Sequence, residues 1–332
     1  TNALTDAYYV IYGKFVDYIS DISSHAADLA NTFGGTGGIL YRFGDMCLGG
    51  GLSILLYLLI TIAFIALSVA VVTFSFNKIV TTTAPEKKVS KEFKTEKAMS
   101  LNKAFFMKEV GRLKSSSNYI LNCGLGVFLM PGVGILALIK GHDLIDMGIG
   151  DDISLVIAIA CCALMMLASM VDTAAPSVSL EGNTHWISQT LPANGFDMLK
   201  AKMNLEWVLK AVPALFCQIC VIVVLKPDSS NLIILLLLPQ AYFWLTSIVN
   251  TLLSVYNANY TWTNEIYPIK QSASVIIALF GGWAVAAIFI GLYLLLNIEN
   301  FELYAIIWTI ALLLAGRILL KKLATDGVKK YL

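Results

Sequence analysis

Seven apolar runs set the terms for this chain. They lie at about residues 48–76, 119–139, 153–171, 207–225, 232–255, 272–296 and 301–320, and each is long enough to cross roughly 30 Å of hydrocarbon as a helix. Inside a bilayer every backbone N–H and C=O must be bonded within the protein, so runs of this kind become helices. A soluble core could not hide them. The chain is 58% hydrophobic and 14% charged, whereas even large soluble domains leave about a quarter of their unfolded-chain surface wet. We therefore expect an all-α polytopic membrane protein, with one span followed by a six-span bundle and with amphipathic connecting and coupling helices.

Charge between the runs alternates in sign. Residues 77–117 carry ten basic residues against four acidic ones. Basic residues also mark the loop with Lys200 and Lys202 and the tail with Arg317, Lys321, Lys322, Lys329 and Lys330. The opposite loops hold Asp143, Asp146, Asp151, Asp152, Asp228, Glu299 and Glu302 against Lys140 and Lys226. Positively charged loops stay inside, so the linker, the central loop and the C-terminus are expected to be cytoplasmic. Four regions follow: an outer amphipathic segment over 1–46, a span over 47–76, and a linker with an interfacial amphipathic helix over 77–117. The fourth is a six-span domain over 118–332 with its cytoplasmic loop at 177–206. A lone span before a closed six-span unit looks like the end of a first half joined to a second. We expect a preceding portion with an odd number of spans, five in number, since transport proteins are often built from repeated halves.

Several chemistries find no support. Six cysteines fall in or beside apolar runs, where a thiol behaves as a small hydrophobe, and Cys217 with Cys220 sits inside a span rather than in a redox or zinc setting. The runs Gly34–Gly38 and Gly49–Gly51 lack the Lys-Ser or Lys-Thr of a phosphate-binding loop. His25, His142 and His185 are scattered, so neither a metal site nor a catalytic triad assembles. Glu206 and Lys210, one turn apart, read as a surface pair, and no carboxylate or histidine is expected at mid-membrane depth, where ion-coupled carriers place them. The expectation is a chain that is not an enzyme, with no metal, no cofactor of its own and no nucleic-acid partner. Breakers at Pro131, Pro213 and Pro239, the last followed by Gln240, mark places where freed backbone groups must find partners. They are candidates for a gate or substrate path, or plain structural kinks.

The longest polar interruption among the six later runs, residues 177–207, reads as two helix-like pieces, 181–190 and 196–209, split by Leu191-Pro192-Ala193-Asn194-Gly195. Its pattern Ser177-x-Ser179-x-Glu181-Gly182, then His185-Trp186-Ile187, Leu191-Pro192, Lys200 and Lys202 resembles the cytoplasmic loop of permease subunits of bacterial type-two ABC exporters. The stretches KEVGRLKSSSNYILN before the first of the six spans and TWTNEIYPIKQSASVIIALFGG at the fifth are similar to the same group. The chain departs from it at Asn183 and Thr184, where the group carries a basic residue.

That resemblance implies a division of labour. Glu181, Gly182, His185, Trp186, Ile187, Leu191 and Pro192 would form the contact with a cytoplasmic ABC ATPase subunit, which would itself bind ATP and Mg. Trp262, Glu265 and Lys270 would make a second contact, and Trp186 would anchor the first, since an exposed aromatic gives large contact area at low entropy cost. Both tryptophans also fit the interfacial belt that membrane proteins use freely. The implied function is export of an amphipathic substrate such as a peptide, lipid-like molecule or drug across a bacterial cell membrane. The other partners would be the lipid bilayer and either the preceding half or a second permease. A regulatory or sensory membrane protein, or a passive carrier, remains open on the residues alone.

Overall fold

The computed structural model describes residues 51–81, 99–146, 153–296 and 298–332. The outer segment 1–46, the glycine run 34–38, most of the basic linker and the side chains of the first acidic loop lie outside the described residues. The chain divides into two units, 1–96 and 97–332.

In the first unit, α1 (Gly51–Thr81) carries an uncharged apolar window, Ile54–Ser75. Thr61, Ser68 and Thr73 each donate to the carbonyl four residues back at 2.8 Å, so these three hydroxyls need no water.

The helices of the second unit, joined by short loops with no strand among the described residues, are α2 (Leu101–Ser115), α3 (Ser117–Cys123), α4 (Leu125–Asp146), α5 (Ile153–Ser169), α6 (Ala174–Ser177), α7 (His185–Thr190), α8 (Gly195–Leu225), α9 (Ser229–Tyr256), α10 (Ala273–Leu295), α11 (Phe301–Lys322) and α12 (Val328–Tyr331). Among the described residues six helices, α1 included, are long and apolar enough to cross a membrane, and α3 with α4, bent by 52° at Gly124, makes a seventh if taken as one broken span. This is the all-α polytopic architecture expected, one span plus six. The closest packing brings α4 onto α8, α9 onto α11 and α8, and α5 onto α10. A core of Met130, Cys161, Met165, Tyr242, Phe243 and Phe289 fills the bundle, while apolar side chains such as Ile139, Ile219, Ile306 and Ile318 face outward, where lipid is their natural neighbour.

Local chemistry accounts for the ends and bends. Asn194 caps α8 by accepting from Phe196 N at 3.0 Å, and Ser272 and Asn300 cap α10 and α11 in the same way. Helix α8 stops where Lys226 turns left-handed before Pro227, which cannot extend a helix. Within α9, Pro239 removes the N–H that would serve the carbonyl of Leu235. Gln218 of α8 replaces it, its Nε2 donating to Leu235 O at 2.7 Å. At Gly282 an added Cβ would collide with Ser169 and Tyr242, so glycine sets how closely α10 meets α5 and α9.

One expectation needs correction. The segment 196–209 is no separate helix. It is the first half of α8, whose 31 residues span about 46 Å at 1.5 Å per residue, roughly half as long again as the hydrocarbon requires. The amphipathic α2 packs on α8, with Phe105 and Glu109 buried and Leu101 and Met107 exposed.

Candidate functional site

The polar half-turns at one end of the bundle converge on Glu181. Its backbone lies in a 3-10 segment, Ser179–Thr184, that runs straight into α7. Its side chain is 1% exposed. Oε1 is 2.9 Å from Lys202 Nζ of α8, with Arg112 and Lys108 of α2 at 3.7 and 3.9 Å. Oε2 lies 2.8 Å from His185 Nδ1 and accepts from Tyr331 OH at 3.0 Å. One carboxylate thereby joins the loop, α2, α8 and the C-terminal turn.

The surrounding groups are satisfied in their turn. Lys202 also donates to Glu109 Oε1 at 2.9 Å and to Ser177 O at 3.3 Å. Arg112 donates to Glu109 Oε2 at 3.2 Å and to Ser177 O at 3.3 Å. His185 Nε2 sits 2.9 Å from Tyr331 O, and its ring stacks on Tyr260 with centroids 4.4 Å apart. Burial, with Glu181 adding to it, pushes the Tyr260 phenol up to about 12, so it stays a neutral hydroxyl beside the network. Burial pulls the Lys108 amine below its usual range, against the opposing pull of Glu181. Charges taken from water this completely persist only when paired and hydrogen-bonded.

Gly182 follows the hub with φ +49° and ψ −137°, a conformation closed to residues with a Cβ. A Cβ there would also approach the Trp262 ring to 3.1 Å, and Trp262 Nε1 donates to Ser179 O. Ser179 Oγ accepts from Asn259 N at 3.0 Å. The loop after α9 is thus clamped onto the loop after α5.

The structure sorts the predicted contact residues into two sets. Glu181, Gly182 and His185 are buried and serve the chain's own loop, so they are not free to touch another protein. Trp186 at 61% exposure, Ile187 at 43% and Leu191 at 40% point outward, together with Pro192. Trp262 is half-buried against Gly182, while Glu265 and Lys270 are exposed, Glu265 accepting from Ser116 Oγ at 3.1 Å. An uncharged open recess beside them is lined by Asn259, Thr261, Trp262, Tyr267 and Gln271. The breakers lie elsewhere: Pro213 and Pro239 are buried, Pro131 half-buried, and the Gln240 Nε2 is enclosed with no partner among the described residues.

Sequence reasoning missed two things. The place of Glu109, Arg112 and Tyr331 in the network was not legible, because apart from the Glu109–Arg112 pair one turn apart their partners lie 65 to 150 residues away. The Glu206–Lys210 pair, expected at the surface, is fully enclosed, with Glu206 accepting from Ala174 N at 2.6 Å and Asn250 Nδ2 at 2.7 Å. Spacing alone cannot tell whether water or protein surrounds such a pair. Polar residues along α9, at Thr246, Ser247, Asn250, Thr251 and Ser254, were the available clue.

No curated protein and no solved structure matches the chain. A family model does, over residues 47–322, more than half of the length. Its match covers α1 and every span of the second unit, and the chain therefore belongs to the polytopic family described as membrane protein of 12 TMs.

Proposed function

We propose that this chain is the membrane-spanning permease part of an ATP-driven exporter, and that α7 is the seat of a cytoplasmic ATP-binding subunit supplied by another chain. One observation carries the reading: α7 and the residue that ends it hold Trp186, Ile187 and Leu191 in the open, while His185 of α7 and Glu181 of the turn before it tie the loop to α2, α8 and α12. A helix that served only to return the chain needs neither the exposed apolar face nor the bracing. With both, a push on α7 is transmitted to several helix ends at once. ATP and Mg belong to the partner. The cargo is an amphipathic molecule such as a peptide, lipid-like compound or drug, entering and leaving a bacterial cell membrane.

The basic residues near the network favour a cytoplasmic placement for α7 and for the C-terminal turn that bonds to it. The test is purification of the tagged full-length protein in mild detergent, followed by assay for ATP hydrolysis. Wild type is expected to retain an ATPase, and Trp186→Ala to lose it while the membrane protein itself is recovered in equal amount. Recovery of no ATPase with wild type overturns the exporter reading and leaves a regulatory protein or passive carrier.

A further inference from the structure

Two carboxyl groups and a single ammonium are enclosed together where α5 gives way to α6. Glu206 and Lys210 answer one another, and each has further partners: Asn250 Nδ2 and Ala174 N for Glu206, and Thr246 Oγ1 at 2.9 Å for Lys210. Asp172, 4% exposed, has no cation of its own among the described residues. Its Oδ1 meets no donor among the described residues. The titratable groups that face it are Cys123 of α3 and Glu206 and Lys210 of α8. Tyr119, also of α3, spends its hydroxyl on the carbonyl of Thr173. Asn250 and Ser254 of α9 and Ser274 of α10 are also buried, and none of them titrates.

Lys210 neutralises one carboxylate, so a second charge here would be unpaired, out of water and beside a like charge. Each of these conditions favours the protonated acid. We propose that Asp172 is a proton-binding site of the six-span domain, loaded in the arrangement described here and exchanging its proton when the loop that carries it moves. Asp172 begins the segment that runs through α6 to α7, so proton occupancy and the position of α7 are linked. Whichever loop position opens Asp172 to water releases the proton, and rising pH favours that position. This inference does not depend on an ATPase partner.

Infrared spectroscopy of the purified full-length protein in lipid tests it directly. Wild type at neutral pH is expected to show the C=O stretching band of a protonated carboxyl group. Asp172→Asn, close in shape to the neutral acid, removes that band. Asp172→Glu retains it at a shifted frequency, and Glu206→Gln retains it. Raising the pH until the band disappears is expected to increase hydrogen exchange across residues 171–190 in wild type and not in Asp172→Asn. A wild-type spectrum in which Asp172→Asn removes only ionised-carboxylate bands overturns the proposal, as does a band that Glu206→Gln removes and Asp172→Asn leaves. Exchange that is unchanged as the band is lost overturns the link to the loop.

Discussion

Glu181 shows how much one side chain can organise. Three cationic side chains, one imidazole and one phenol surround its carboxylate, and it reaches solvent through 1% of its surface. Truncating one partner of a buried charge network leaves the others uncompensated, which costs about 3–5 kcal/mol. Glu181→Ala should therefore lower the melting temperature in detergent sharply, and Glu181→Gln, which keeps the shape and some of the hydrogen bonds, should lower it less. Gly182→Ala should cost about 1–3 kcal/mol, because alanine cannot adopt the glycine-only backbone without strain and its Cβ would press on Trp262. The identity of these residues was legible in the sequence, but their direction was not. The resemblance made Glu181 a contact for another protein, but besides His185 one turn away its partners come from residues 202 and 331.

At the scale of elements, the spans were readable because each is a local fact: an uncharged run of sufficient length has one stable form in a bilayer. Where a helix leaves the membrane is not local, and α8 shows it. Its polar first half and apolar second half suggested two pieces, while the chain forms one helix whose lower turns pack on α2. Two tests belong here. Adjacent glycines in α10 should respond oppositely: Gly282→Ala should destabilise, since its Cβ meets Ser169 and Tyr242, and Gly281→Ala should be nearly neutral, with nothing within 4 Å. Gln218→Leu should cost about 1–3 kcal/mol by stranding the Leu235 carbonyl. The same change should cost less in a Pro239→Ala background, where α9 can serve that carbonyl itself, and a double-mutant cycle on thermal melts reads the difference.

For the whole molecule, membership in a family of polytopic membrane proteins agrees with what hydropathy implied, and the end of the bundle shows how such a chain can be more than a set of spans. Loops that sequence distance separates by 75 to 150 residues are bonded through His185, Tyr260 and Tyr331, so α7 is an exposed apolar surface on a braced mount. The account makes these two properties separable. Stability should reside in Glu181, and partner binding in Trp186. The decisive measurement compares Trp186→Ala and Glu181→Gln with wild type in paired assays, thermal melting of the detergent-purified protein and retention of a cytoplasmic ATPase. We predict that Trp186→Ala melts with wild type yet loses the ATPase, and that Glu181→Gln melts lower. A Trp186→Ala protein that keeps the ATPase, or that melts as low as Glu181→Gln, would contradict the account.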